Sequence, residues 1–210
     1  MQSKRFWPKK AEQGNTWTHL GGAVFALSSI WLVWLAADVS WQMAFGVACF
    51  IFGMTFMFLS STVYHWVSNE RAKAILRKFD HISIYVMIAC SYTPVLVGVM
   101  GGWLGWTVFA FQWMIVIAGA IYKIVALGRY PRLSLAIYLI MGWSIVLIAE
   151  PVIKALTPVT LWLLLAEGIA YTAGTYFFAH DERPHYHAIW HVFVLLGALA
   201  HWGAVLSLLI

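Results

Sequence analysis

Seven apolar runs, separated by short charged clusters, constrain this chain more than anything else in it. Each is about twenty residues long, and a helix of that length rises about 30 Å, the thickness of a bilayer's hydrocarbon core. In lipid every backbone N–H and C=O must find its partner inside the protein, so runs of this kind fold as helices. The sequence therefore predicts an all-α, seven-transmembrane helical bundle. Its spans fall at 19–37, 41–66, 79–100, 103–127, 133–148, 159–178 and 187–210. Composition agrees, since only 10% of the 210 residues are charged, against about 25% in soluble domains. No linker, low-complexity tract or internal repeat interrupts the runs, so residues 1–210 read as a single integral membrane domain.

The connections are short, with Asp38-Val39-Ser40 and Gly101-Gly102 as the tightest turns. The fifth run is the shortest and closes on Glu150-Pro151, a helix-stop signal. Thr93-Pro94 falls well inside the third span, where a proline without an N–H kinks a helix. The first ten residues are polar and basic, and no small-residue cleavage signal follows the first run, so no removable signal peptide is expected. Cys49 and Cys90 lie inside apolar runs and read as small buried hydrophobes, not as a disulfide or ligands. The Trp and Tyr excess reads as an interfacial belt and lipid-facing packing.

Lys and Arg set the orientation. Lys4, Arg5, Lys9 and Lys10 precede the first span, and Arg71, Lys73, Arg77 and Lys78 lie between the second and third. Lys123, Arg129 and Arg132 lie in or beside the fourth connection, Arg183 lies in the sixth, and the opposite face has only Lys154. Twelve of the thirteen basic residues on one side place the N-terminus in the cytoplasm and, with seven spans, the C-terminus outside. Short loop clusters of this kind are not the continuous basic stripe of a nucleic-acid binder, so the expected partner is membrane lipid and not nucleic acid.

The same topology sorts the ionisable residues by depth. His187 and His191 open the last run four residues apart, about 40° around a helix and about 6 Å along it, so both imidazoles face one way. Ser61 and His65 close the second span at the same spacing, and Asp80 opens the third after a basic hairpin. All of these fall near the cytoplasmic ends of helices that can be neighbours. His65, His187 and His191 make a three-histidine set with a fourth position for water, the arrangement of a catalytic zinc. Asp80 would hold or deprotonate that water, and Ser61 could donate to a developing oxyanion. The competing reading is a set of polar residues that hydrogen-bond neighbouring helices or headgroups. Spacing and topology alone leave that competing reading ahead, and the cost of a carboxylate and three imidazoles at membrane depth adds some weight to the functional one.

The remaining polar residues read as structural. His19 with Asn15 fixes the start of the first helix, and His81 points about 100° away from Asp80 toward the interface. His180 and His185 read as exposed loop histidines. Glu167 and His201, deep in the sixth and seventh spans, form either a structural pair or a proton path, with pairing favoured.

These motifs resemble a family. Glu12-Gln13-Gly14-Asn15-Thr16-Trp17-Thr18-His19 is similar to the first signature of the progestin and adipoQ receptor family, whose bacterial branch is the hemolysin III proteins. Ser61-Thr62-Val63-Tyr64-His65 resembles the family's SxxxH element. Asp80 follows at about the expected distance, and His187 with His191 resembles the closing HxxxH. The resemblance implies a seven-helix protein with an inside N-terminus and a buried zinc near the cytoplasmic face. The ligands would be His65, His187 and His191, with Asp80 reaching the metal through water and Ser61 beside it. The alkaline ceramidases are similar to the same pattern, which implies zinc-dependent hydrolysis of a lipid amide or ester. A bacterial-type member would be a multi-pass protein of the plasma (inner) membrane. Almost no sequence precedes Glu12, so a partner-binding role like that of the receptors is not expected. Two alternatives stand beside the hydrolase: a non-enzymatic sensor or regulator with structural zinc, and a proton or ion conductor using Glu167 and His201.

Overall fold

A computed structural model describes residues 9–183 and 185–210, with side chains from residue 12 onward. Lys4 and Arg5, and the side chains of Lys9 and Lys10, lie outside the described part. Nine α-helices follow one another there: α1 (Lys9–Ser28), α2 (Leu32–Val39), α3 (Trp41–Trp66), α4 (Glu70–Thr93), α5 (Gly102–Ala126), α6 (Pro131–Trp143), α7 (Ala149–Ala155), α8 (Pro158–Ala179) and α9 (Tyr186–Ser207). Several are halves of one segment. Six segments are long and apolar enough to cross a membrane: Glu12–Val39, Trp41–Trp66, Glu70–Met100, Gly102–Ala126, Pro131–Ala155 and Tyr186–Ser207. The run expected at 159–178 forms α8, whose 22 residues match α9 in length. Glu167, two glycines and three threonines lower its hydropathy, and it is not among the six.

Side-chain chemistry explains the joints inside segments. The hydroxyls of Ser28 and Ser29 both donate to the Phe25 carbonyl at 2.8 Å, and the helix tightens into a 3-10 turn at Ser29–Trp31 before α2. Pro94 cannot donate to the helical ladder, and α4 opens there into a π-helix, Pro94–Met100, that ends with Gly101 N–H donating to Leu96 C=O at 3.0 Å. Gly101 has φ +56°, so the turn into α5 needs a residue without a Cβ. Between α6 and α7 the chain passes through a 3-10 stretch, Ser144–Ile148. The Tyr92 hydroxyl on α4 donates to Gly142 C=O at 2.5 Å and accepts from Ile145 N–H at 3.0 Å, so the freed backbone groups find partners on a neighbour.

Three expected boundaries are corrected. The first helix starts at Lys9, so Asn15 and His19 are inside α1 and do not cap it. The third segment starts at Glu70, with Asn69 capping Arg71 and Ala72 through its side chain, so the expected basic hairpin is the first two turns of α4. Glu150-Pro151 begins α7 and does not end a helix, because the first turn needs no N–H from proline.

The main core lies between α1, α2, α3, α4 and α9, and a second cluster lies between α4, α5 and α6; Phe50, Met54, Phe58, Tyr85 and Leu96 are fully enclosed. Helices cannot associate in lipid by excluding water, so close packing carries the load. At Gly53 a Cβ would lie 2.5 Å from Cys90 Cβ, which shows how closely α3 approaches α4. Cys90 is buried and Cys49 half-buried, both as free thiols packed against the core, as expected. Trp41, Trp66 and Trp103 stand exposed at helix ends, consistent with an interfacial belt.

Candidate metal centre

The N-terminal half of α1, the end of α3, the start of α4 and the start of α9 meet at one end of the bundle. His65, His187 and His191 come together there, each offering a ring nitrogen within 4.8 Å of the others. His65 Nε2 and His187 Nε2 are 3.3 Å apart. That is about the separation of two ligands on a tetrahedral ion with bonds of ~2.0–2.1 Å. His65 and His191 are almost fully buried.

The far nitrogens are held in the way metal-binding imidazoles are held. His65 Nδ1 donates to Glu12 Oε2 at 2.6 Å, and the Lys73 ammonium donates to Glu12 Oε1 at 2.6 Å. His191 Nδ1 donates to the Asn15 carbonyl at 3.2 Å, with Thr18 Oγ1 also 3.2 Å away. These bonds assign the proton to Nδ1 and leave the lone pair of Nε2 facing the cluster. His187 Nδ1 lies 3.9 Å from Asp181 Oδ2. Three imidazoles, two of them oriented by an outer acceptor, are a donor set that fits zinc.

Ser61, Asp80, His187 and His191 line one cavity of about 870 Å3. The Ser61 hydroxyl is buried beside the Asp80 carboxylate, and both residues face the cavity. The Asp80 side chain is 17% exposed, with its Oδ2 3.6 Å from His81 Nδ1.

Other histidines differ from the sequence reading. His19 is buried inside α1 and stacks on His191 with ring centroids 3.6 Å apart, outside the three-histidine set. His81 lines the cavity and donates from Nδ1 to the Arg77 carbonyl. His180 is half-buried at the end of α8 on the Tyr176 carbonyl, and only His185 is exposed. Glu167 and His201 pair at 2.6 Å, as favoured.

Glu12 and Lys73 carry the orienting network, and sequence reasoning gave them no role. The one available signal was an acidic residue at the head of the Glu12–His19 motif.

Helices of this length and apolarity, with a buried polar cluster at one end, define a multi-pass membrane protein with a candidate metal centre. The chain belongs to the hemolysin III family of the progestin and adipoQ receptor type: the family model described as "Haemolysin-III related" matches residues 7–202. It is 37% identical over 202 residues to the Hemolysin-3 homolog of Bacillus subtilis (strain 168), covering 94% of this chain and 93% of that one. It is 36% identical over 199 residues to Hemolysin-3 of Bacillus cereus, covering 94% and 91%. The similarity extends to the human monocyte to macrophage differentiation factor, 32% identical over 205 residues, covering 91% and 81%.

Proposed function

We propose that this protein is a zinc-dependent hydrolase of lipid amide or ester bonds. It would be a single seven-span domain of the plasma (inner) membrane, with α8 as the sixth span, the N-terminus in the cytoplasm and the C-terminus outside. The observation that carries the reading is that Asp80 and Ser61 share the wall of one large cavity with His187 and His191, two of the three clustered imidazoles. His65, His187 and His191 would hold the metal. When bound, zinc supplies the Lewis-acid chemistry that activates water and polarises an acyl carbonyl. Asp80 accepts the proton of the attacking water and passes it to the leaving amine or alkoxide as the acyl bond breaks. The Ser61 hydroxyl donates to the carbonyl oxygen as charge develops on it. Glu12 and Asn15 hold the His65 and His191 rings in place throughout. A second reading rests on the Lys73–Glu12–His65 chain, which ties α4, α1 and α3 together: the metal could be purely structural, in a sensor or regulator.

Asp80→Asn separates the two readings. The change leaves the three imidazoles in place, so most zinc should stay bound. Turnover of a ceramide by the purified protein should fall by about 10²–10⁴-fold, because the amide cannot take the proton. Retained zinc with full turnover would exclude the hydrolase mechanism. A wild-type protein that binds zinc but turns over no lipid amide or ester would favour the structural reading.

A further inference from the structure

The cavity does not end at the histidine cluster. His201 lines it too, ten residues beyond His191 on α9, and ten residues of helix rise about 15 Å. His201 Nδ1 donates to Glu167 Oε2 on α8, and the two side chains are only 4% and 14% exposed. Tyr171, one turn beyond Glu167, packs where a Cβ on Gly197 would meet its ring at 2.5 Å. Gly197 is one turn before His201 on the buried face of α9, so Tyr171 packs about one helical turn from the Glu167–His201 pair.

Two of their polar atoms are unsatisfied. His201 Nε2 and the Tyr171 hydroxyl are buried without a hydrogen-bond partner among the described residues, and both residues line the cavity. With Nδ1–H committed to Glu167, His201 Nε2 is an acceptor, while the Tyr171 hydroxyl donates or accepts. Between this group and the histidines the wall includes Met57, Met87 and Val194. The cavity wall is thus largely apolar, with one polar group at the histidines and another about 15 Å deeper.

We propose that Glu167, His201 and Tyr171 form a recognition site for a hydroxyl carried on the hydrocarbon chain of a lipid, whose polar end lies at Asp80 and the histidines. A chain hydroxyl donates to His201 Nε2 and accepts from Tyr171, so one group satisfies both orphaned atoms. A plain methylene chain satisfies neither and leaves them desolvated. A carboxylate or phosphate is disfavoured there by the Glu167 charge. The proposal rests on the cavity being the lipid site of the proposed function, but not on hydrolysis, and binding is therefore the readout.

The test titrates octadecanoic acid and 12-hydroxyoctadecanoic acid against the wild-type protein in nanodiscs by calorimetry. The two ligands differ only in a mid-chain hydroxyl, and the hydroxy acid should bind about tenfold tighter, the size of one net hydrogen bond. In Glu167→Met/His201→Leu both members of the hydrogen-bonded pair leave together, so neither is left buried without its partner. There the two acids should bind equally, with octadecanoic acid near its wild-type affinity. If that variant does not fold, Tyr171→Phe, which deletes one oxygen, carries the same comparison. Equal binding by the wild type, binding of neither acid, or a preference that survives the variant would overturn the proposal. Loss of ceramide turnover in Asp80→Asn bears on the hydrolase alone and leaves this comparison intact.

Discussion

Replacing Glu12 with Gln tests whether the buried carboxylate orients a metal ligand or only ties helices together. The carboxylate accepts from His65 Nδ1 and from the Lys73 ammonium, both at 2.6 Å, and its side chain is 12% exposed. Glutamine keeps an acceptor of similar shape and removes the charge. A carboxylate behind an imidazole fixes the ring and raises the basicity of the opposite nitrogen, so its loss should weaken zinc binding about 10–100-fold. That is about 1.4–2.7 kcal/mol. The same change strands the buried Lys73 ammonium, and breaking one side of a buried pair costs on the order of 3–5 kcal/mol of stability. The two effects separate in Glu12→Gln/Lys73→Met, which removes the stranded charge. Zinc affinity is read by competition with a chromophoric chelator, and stability by thermal unfolding with and without zinc. The double variant should recover most of the lost stability and none of the lost affinity. Affinity restored along with stability, or unchanged in Glu12→Gln, would refute the orienting role.

Other outcomes follow from the same geometry. Purified protein should hold about one zinc per chain, lost in His65→Ala, His187→Ala or His191→Ala with a fall in thermal stability, because a ligand of the folded state stabilises it by mass action. His185→Ala and His180→Ala should keep the metal, and equal losses from all five would indicate general fragility. A reporter fused after Ile210 should read as external, and an internal reading would contradict seven spans with an inside N-terminus. Gly53→Ala should destabilise by about 1–3 kcal/mol in a thermal or denaturant assay, because the new methyl meets Cys90 Cβ at 2.5 Å. Adding Cys90→Gly should relieve the clash, and failure to do so would place the strain elsewhere.

The order of the apolar segments was legible because hydropathy reports what lipid demands of a backbone. Helix starts were not, and the reason is specific. Glu12 and Lys73 fell outside the expected spans, since a hydropathy scale treats a charge as exposed. Glu12 and Lys73 instead neutralise each other across 61 residues, and α1 and α4 extend about two and a half to three turns past the apolar boundary. The break at Ser144 was invisible for a similar reason, because the Tyr92 hydroxyl that holds it lies more than fifty residues earlier. The histidine set was legible from i,i+4 spacing combined with topology. The Glu12 contact to His65 depends on a helix start that the sequence reading placed too late.

The α9 helix explains how two polar groups can share one cavity without merging. Its buried face carries His191, Val194, Gly197, Ala198, His201, Ala204 and Val205, so polar positions alternate with small or apolar ones. The small residues admit close neighbours: Tyr171 of α8 crosses at Gly197, between the two histidines. A continuous helix fixes the axial distance from His191 to His201 at about 15 Å, with no loop to absorb error. On the proposed reading, α9 is therefore a ruler. A lipid anchored at the histidine end presents one particular stretch of its chain to Glu167 and His201, and the register is set by helical rise and not by the flexibility of either site. Rotation matters as much as rise. One residue inserted between His191 and His201 would turn the second histidine by about 100° away from Glu167, breaking the deep pair while leaving the metal ligands untouched.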